Sequence, residues 1–263
     1  MISVSGKIWT EQKVNKNLIE KFKQDYGLGD ILSKLIISRN YDSSEIYGID
    51  NKQKLINIFK DDKDFEKASL ILLKAINNNE NICILGDYDV DGACATSLFV
   101  RYFNHINQKH FFYIPDRTED GYGASKKLFQ KLILKKPKLI IMVDCGSTSN
   151  EAIDYLNKHN IKSIIIDHHE INKPYPKSNS IINPKKELIK KETSLLCATT
   201  LTYFFIEFVI QKTKSNYKIS NFLIYVLLAT VCDLMPLRKI NRIIAHNTID
   251  NFNIKNYVAL NYI

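Results

Sequence analysis

Residues 82–92 read ICILGDYDVDG: four apolar residues, a glycine, aspartates at 87, 89 and 91, and a second glycine. A short apolar run bounded by glycine predicts a buried strand. The glycines permit a tight turn at its end, so Asp87, Asp89 and Asp91 gather at the strand's carboxyl edge. Carboxylates this close repel strongly unless cations lie among them. The DxDxDG string also opens calcium-binding EF-hand loops, but such a loop needs a closing Glu and a preceding helix. Leu98 stands at the closing position, and the segment before is strand-like, so the EF-hand reading fails.

Working outward, FFYI (111–114), LIIMV (139–143) and SIII (163–166) repeat the strand texture, and segments 93–108, 125–136 and 149–159 between them are long enough for helices. Alternating strands and helices predict an α/β fold, a doubly wound parallel sheet with helices on both faces. After Asn183 the pattern turns helical, at 194–210 and 221–232. Residues 1–78 are polar and Lys-rich, with helical-period apolar positions at 28–37 and 65–76. They read as a helical N-terminal extension ahead of a catalytic domain at 79–263.

Two further strands end in chemistry. IIMVDCGS places Asp144 and a glycine turn at one strand end, and IIIDHHE places Asp167, His168 and His169 at another. In an open parallel sheet the carboxyl ends of the strands face one crevice, where ligands bind. Singly, Asp144 could cap the next helix and either histidine could be structural. Their shared edge points to a common site, and mixed carboxylate and imidazole donors suit Mn²⁺ or Mg²⁺ rather than a thiolate zinc site.

The 263 residues, 45% hydrophobic, suffice for a sizeable core. The longest apolar run, 222–232, is too short to cross a bilayer, and the N-terminus lacks a signal peptide's apolar segment. The expectation is a cytoplasmic protein with no membrane association. Five cysteines without a CxxC pair read as reduced thiols buried as small hydrophobes. The net charge of +9 favours a polyanionic partner through counterion release, although 32 Lys against 5 Arg is also the signature of an AT-rich genome.

GDYDVDG, VDCG and DHH, in this order and spacing, resemble the motifs of the DHH phosphoesterase superfamily, and within it those of its single-strand-specific exonucleases. PDRTEDGYG (115–123) resembles that group's arginine and glycine loop, with Arg117, Gly121, Tyr122 and Gly123 as substrate-binding candidates; ATVCDLMPL (229–237) resembles its last acidic motif, and SVSGKIW (3–9) the opening of some members. The resemblance implies that Asp87, Asp89, Asp144, His168 and Asp233 ligate metal, with two Mn²⁺ or Mg²⁺ ions as cofactors. It puts His169 near the metals or the scissile phosphate, and Asp91 and Asp167 behind them, orienting loop and histidine. It further implies 5′→3′ cleavage of single-stranded DNA in recombination and repair.

Two departures stand out. Many members carry a histidine four residues before the first aspartate, where this chain has Cys83. Members also continue into a DHH-associated domain and a nucleic-acid-binding domain. The expectation is a partial enzyme whose partners include a C-terminal half or a single-strand-binding protein, with apolar Tyr257, Val258, Leu260 and Ile263 left for that interface.

From the residues themselves, Arg117 is the candidate phosphate clamp, because its fork grips a phosphate bidentately; the alternative is a surface ion pair with Glu119 or Asp120. The lysines of 126–138 read as a solvated face, and Tyr113 as core rather than a base-stacking ring. The rival functions are a phosphodiesterase of short oligonucleotides or cyclic dinucleotides, and a relative that binds single strands without catalysis.

Overall fold

The computed structural model describes residues 2–8, 10, 12–50, 53–121, 123–186 and 192–257. Tyr122, Val258, Leu260 and Ile263 lie outside them. The chain divides into two compact units, residues 1–53 and 54–263.

In the first unit, α1 (Lys16–Tyr26) starts where Asn15 accepts from the Asn17 N–H and stops at Gly27, φ +64°. The left-handed conformation at a helix end costs glycine least. α2 (Asp30–Ser38) packs on α1, and α3 (Ser43–Asp50) follows.

The second unit begins with α4 (Lys63–Asn77), capped by the Asp62 carboxylate on the N–H groups of Asp64 and Phe65. Phe65, Ala68, Leu72 and Ala75 of α4 belong to the sheet's core. The compact unit begins at Lys54, ahead of the position 78 boundary suggested by composition: the apolar stripe of 65–76 shows in the sequence, but its contact with the sheet does not.

The sheet is wholly parallel, in the order β2-β1-β3-β4-β5, with β1 (Ile82–Leu85), β2 (His110–Tyr113), β3 (Leu139–Val143), β4 (Lys162–Ile166) and β5 (Ser180–Ile182). The first four match the apolar runs to within a residue. β5 departs from the sequence reading: three residues between polar, Pro-bearing stretches are too few to show a period.

β1 and β3 are buried throughout because helices cover both faces. Ile82 and Ile84 face a layer formed by α4, α5 (Val90–His105), α8 (Ala198–Thr213) and α9 (Leu223–Cys232). Cys83 and Leu85 face α6 (Lys126–Leu132) and α7 (Asn150–Lys158). α10 (Lys239–Asp250) packs on α9. Among the described residues no helix is long and apolar enough to span a membrane.

The chain leaves β1 for β2 on one side and returns to β3 on the other. Such a reversal opens a crevice beyond the carboxyl ends of the two central strands.

Candidate metal centre

Each strand bordering the crevice delivers its residues by a distinct local device. After β1 the chain turns at Gly86, and Asp89 caps α5 by accepting from the Gly92 N–H at 2.9 Å. A side chain at Gly92 would place Cβ 2.5 Å from the Asp87 backbone, so glycine is what lets α5 start against the strand end and hold Asp87 and Asp89 side by side. After β3, the Asp144 N–H still donates to Ile166 of β4 at 3.0 Å, yet Asp144 has φ +61°. A non-glycine residue in the left-handed region is strained, and such strain gathers at functional sites.

After β4, Asp167 is a hub. Its Oδ1 accepts from the His168 and His169 N–H groups and from His169 Nδ1 at 2.8 Å, while its Oδ2 accepts from the Ser147 N–H at 3.0 Å. Asp91 does similar work across the core, its two oxygens accepting from the Ala198 and Thr199 N–H groups at 2.7 and 2.8 Å, at the start of α8. Asp233 ends α9 and turns its Oδ2 to within 3.5 Å of His168 Nε2.

These side chains converge. His168 Nε2 lies 3.3 Å from Asp144 Oδ1 and 3.6 Å from Asp91 Oδ2. His169 Nδ1 lies 3.8 Å from Asp144 Oδ1. Three groups have ligand atoms within 4.8 Å of one another: Asp87, Asp89 and Asp144; Asp144, His168 and His169; and Asp91, His168 and Asp233. Asp144 and His168 each belong to two groups, so the site suits ions that share ligands.

Both Asp144 carboxylate oxygens, His168 Nε2 and Asp233 Oδ2 are buried without a hydrogen-bond partner. Orphaned polar atoms cost about 1–3 kcal/mol each, and so many in one crevice mark a place prepared for a ligand. Burial, with the charges of Asp91 and Asp89, pushes the Asp144 carboxyl up to about 11. Burial likewise raises Asp87 and Asp233. A carboxyl that holds its proton this strongly is asking for positive charge, and a divalent cation supplies it.

Asp167 moves the other way. Burial alone would raise it, but the hydrogen bond from His169, that ring's charge and the Ser147 N–H outweigh burial and hold it at about 2. In return the hydrogen bond to Asp167 raises His169. The opposite shifts separate an anion whose partners are in place from one whose partners are cations to come.

Thus the eight acidic and histidine candidates all come to one crevice. Arg117 is exposed, its guanidinium 5.5 Å from the centre of the Tyr88 ring, and the Asp120 carboxylate is engaged by Lys131 at 2.5 Å and the Tyr113 hydroxyl at 2.6 Å. Gly121 and Gly123 take left-handed conformations, φ +79° and +69°. Among the lysines of 126–138, Lys126 pairs with Glu151 and Lys135 lies over Phe111.

Cys83 is buried on the α6/α7 side of the sheet, its thiol pushed up to about 12 by burial, so it does not stand in for the missing histidine. Cys232 is exposed rather than buried, because α9 ends at the crevice rim. Sequence reasoning missed Ser147, the N–H groups at 198 and 199, and Asn183. Those N–H groups meet a partner 107 and 108 positions away, which no local pattern reveals.

Residues 81–230 match the DHH family, N-terminal domain. The chain is similar to the single-stranded-DNA-specific exonuclease RecJ of Bacillus subtilis (strain 168), at 25% identity over 90% of this chain and 30% of the relative. The RecJ of Escherichia coli (strain K12) is 30% identical over 68% of this chain and 33% of its own length. The chain thus spans about a third of these relatives. In fold it superposes on the crystal structure of RecJ in complex with Mn²⁺ from Thermus thermophilus with a TM-score of 0.77 at 18% identity, over 95% of this chain and 35% of that one. The family match covers the sheet and every ligand candidate except Asp233, and the chain belongs to the DHH family.

Proposed function

We propose that this chain is the catalytic part of a metal-dependent exonuclease that degrades single-stranded DNA from its 5′ end, acting in the cytoplasm in recombination and repair. The observation that carries the reading is the set of orphaned, buried ligand atoms on Asp144, His168 and Asp233 at the sheet's switch point. The names of the relatives supply the substrate class.

Asp87, Asp89, Asp144, His168 and Asp233 would hold two Mn²⁺ or Mg²⁺ ions. When bound, such ions supply Lewis-acid activation of water and neutralise charge on the phosphate. The protein's own share is positioning. Asp91 fixes the start of α8 against the first aspartate loop, and Asp167 fixes the His169 ring with Nδ1 toward itself, leaving Nε2 to face a scissile phosphate or leaving oxygen. Arg117, held over Tyr88, would grip a terminal phosphate through its free N–H edges. Gly121 and Gly123 would let the strand approach the backbone closely, and Tyr122 is the candidate to stack on a base. A single-strand-binding protein is the partner this reading calls for.

The test is incubation of the purified chain with 5′- or 3′-labelled single strands and Mn²⁺. Mononucleotide release from the 5′ end, abolished by EDTA, is the expected result. Cleavage of cyclic dinucleotides or dinucleotides with strands left intact would replace the proposal with the short-substrate reading. Strand binding without hydrolysis would leave a binding protein.

A further inference from the structure

β5 is too short to be seen in the sequence, yet the residue after it enters the site. Asn183 is 7% exposed, and its Nδ2 donates to the Ser147 hydroxyl at 2.8 Å and to the His169 carbonyl at 2.9 Å, while its Oδ1 accepts from the Lys185 N–H at 2.8 Å. The amide cannot be turned around. The His169 carbonyl can only accept and the Lys185 N–H can only donate, so oxygen and nitrogen are assigned by their partners.

These bonds close a ring. Asn183 holds the His169 carbonyl; the His169 ring donates from Nδ1 to Asp167; Asp167 accepts from the Ser147 N–H; and the Ser147 hydroxyl accepts from Asn183. The ring joins the ends of β3, β4 and β5, and His169 is its one exposed member, with 43% of its side chain accessible. Without Asn183, the His169 peptide and the Ser147 loop each lose a tether. The two loops are then joined only through the Asp167 carboxylate, whose bonds to the Ser147 N–H and the His169 ring lose their outer brace.

We infer that Asn183 is a positioning residue: it locks the Asp167–His169 pair by tying the His169 peptide to the Ser147 loop, so that the imidazole presents Nε2 to the reacting phosphate. The ring itself requires no metal. The kinetic consequence rests on the phosphodiesterase reading above.

The experiment compares the full chain with Asn183→Ala, with Ser147→Ala, which cuts the ring at the hydroxyl but keeps the N–H to Asp167, and with Asn179→Ala. Asn179 is the control. It precedes the same strand and its side chain also makes one structural bond, to the Ser163 N–H at 2.8 Å, at the far edge of the sheet. Long-range ¹H–¹⁵N spectra of the metal-free chain at alkaline pH, where the raised His169 ring is neutral, with His169 assigned by His169→Gln, should show a single tautomer protonated at Nδ1 in the parent and in Asn179→Ala. In Asn183→Ala, and less so in Ser147→Ala, the nitrogen shifts should move toward the average of two tautomers. In Mn²⁺, Asn183→Ala should lower kcat tenfold or more, with KM for the strand and the Mn²⁺ Kd within twofold.

Unchanged His169 nitrogen shifts in Asn183→Ala and Ser147→Ala overturn the inference. So does an equal kcat loss in Asn179→Ala, which would make the effect one of general stability. A parent inactive on every strand, with the spectral change intact, sinks the nuclease reading and leaves the positioning role standing.

Discussion

The two edges of the sheet are built from similar polar residues and treated in opposite ways. At the amino edge, Asn81 donates to the Lys135 carbonyl at 2.8 Å, Gln108 to the Glu80 carbonyl at 2.7 Å, and Ser163, Ser178 and Asn179 bond one another and nearby backbone. Every one of these side chains has found a protein partner. At the carboxyl edge, Asp144, His168 and Asp233 keep buried atoms that face one another without a hydrogen bond. Folding normally pairs buried polar groups, so the contrast locates the function: one edge is complete as protein, and the other is completed by something the chain binds.

The largest effect expected from breaking this contrast is at Asp144, which belongs to two of the three ligand groups. Asp144→Asn should lower turnover to background, at least about a thousandfold, the upper range for removing one electrostatic contact to the transition state. The same change should raise the melting temperature of the metal-free chain, because the fold must keep this buried carboxyl protonated while the unfolded chain ionises it, a penalty an amide does not carry. Turnover assays beside calorimetry decide the matter. A variant that is inactive and also less stable without metal would mean that Asp144 holds the fold, and the two edges would not differ in kind.

Metal and pH sharpen the contrast further. Asp144 is raised from the ordinary range near 3.9 toward about 11. Its contribution to the metal-free fold is thus fully present only below about pH 4 and is lost as pH rises toward the folded value. Asp167, held at about 2, contributes above about pH 4, and that contribution is lost as pH falls through 2. Mn²⁺ must displace the Asp144 proton, so its stabilisation should grow with pH. At 100 times its Kd a ligand adds about 2.7 kcal/mol, or roughly 5–10 °C for a chain of this size. Melting curves at pH 5 and 8, with and without Mn²⁺, test this; an equal shift at both would mean that binding displaces no proton.

Much of the carboxyl edge was legible in sequence because its strands announce themselves. ICIL, LIIMV and SIII are continuous apolar runs ended by aspartate or glycine, the mark of strands buried on both faces. Once a parallel sheet is inferred, strand ends share an edge, and the acids and histidines follow. What stayed hidden depends on contacts distant in sequence. The partner of Asp91 is the start of α8, and Asn183 follows a strand of three residues. α4 looked like part of an N-terminal extension because its apolar stripe meets the sheet only in three dimensions. The amino edge was silent altogether, since Ser, Asn and Gln before a strand look the same whether bonded or free.

A smaller effect belongs to the crevice rim. Arg117 stands in the loop after β2 and lies over Tyr88, next to Asp87 and Asp89 in sequence, while Asp120 of the same loop is already engaged by Lys131 and Tyr113. Arg117→Ala should therefore reduce the preference for a 5′-phosphorylated strand roughly tenfold, about 1.4 kcal/mol, and bring little change on a 5′-hydroxyl strand. Equal losses on both ends would make Arg117 a general backbone contact. Binding should also weaken steeply with salt, as expected of contacts that release counterions.

The smallest effect on activity is expected at the amino edge, and it tests whether the two edges are independent. Ser163 is wholly buried, and its hydroxyl bonds the Ser178 hydroxyl at 3.0 Å. Ser178 also donates to the Ser163 carbonyl at 2.9 Å and has a further contact with the Ser180 carbonyl at 3.0 Å. Ser163→Ala removes one bond from this cluster while Ser178 keeps acceptors for its proton, so no donor is stranded. The cost should be close to that of an ordinary hydrogen bond, about 1 kcal/mol. β4 is five residues long, about 16 Å at the usual rise per residue, and its other end carries Asp167 and the histidines. If the sheet behaves as a rigid platform, a loosened start of β4 should lower the melting temperature by a few degrees and leave kcat within twofold. A kcat that falls with the melting temperature would show strain passing along β4 into the Asp167–His169 pair. The amino edge would then be part of the machinery that holds the site, rather than merely the closed end of the sheet.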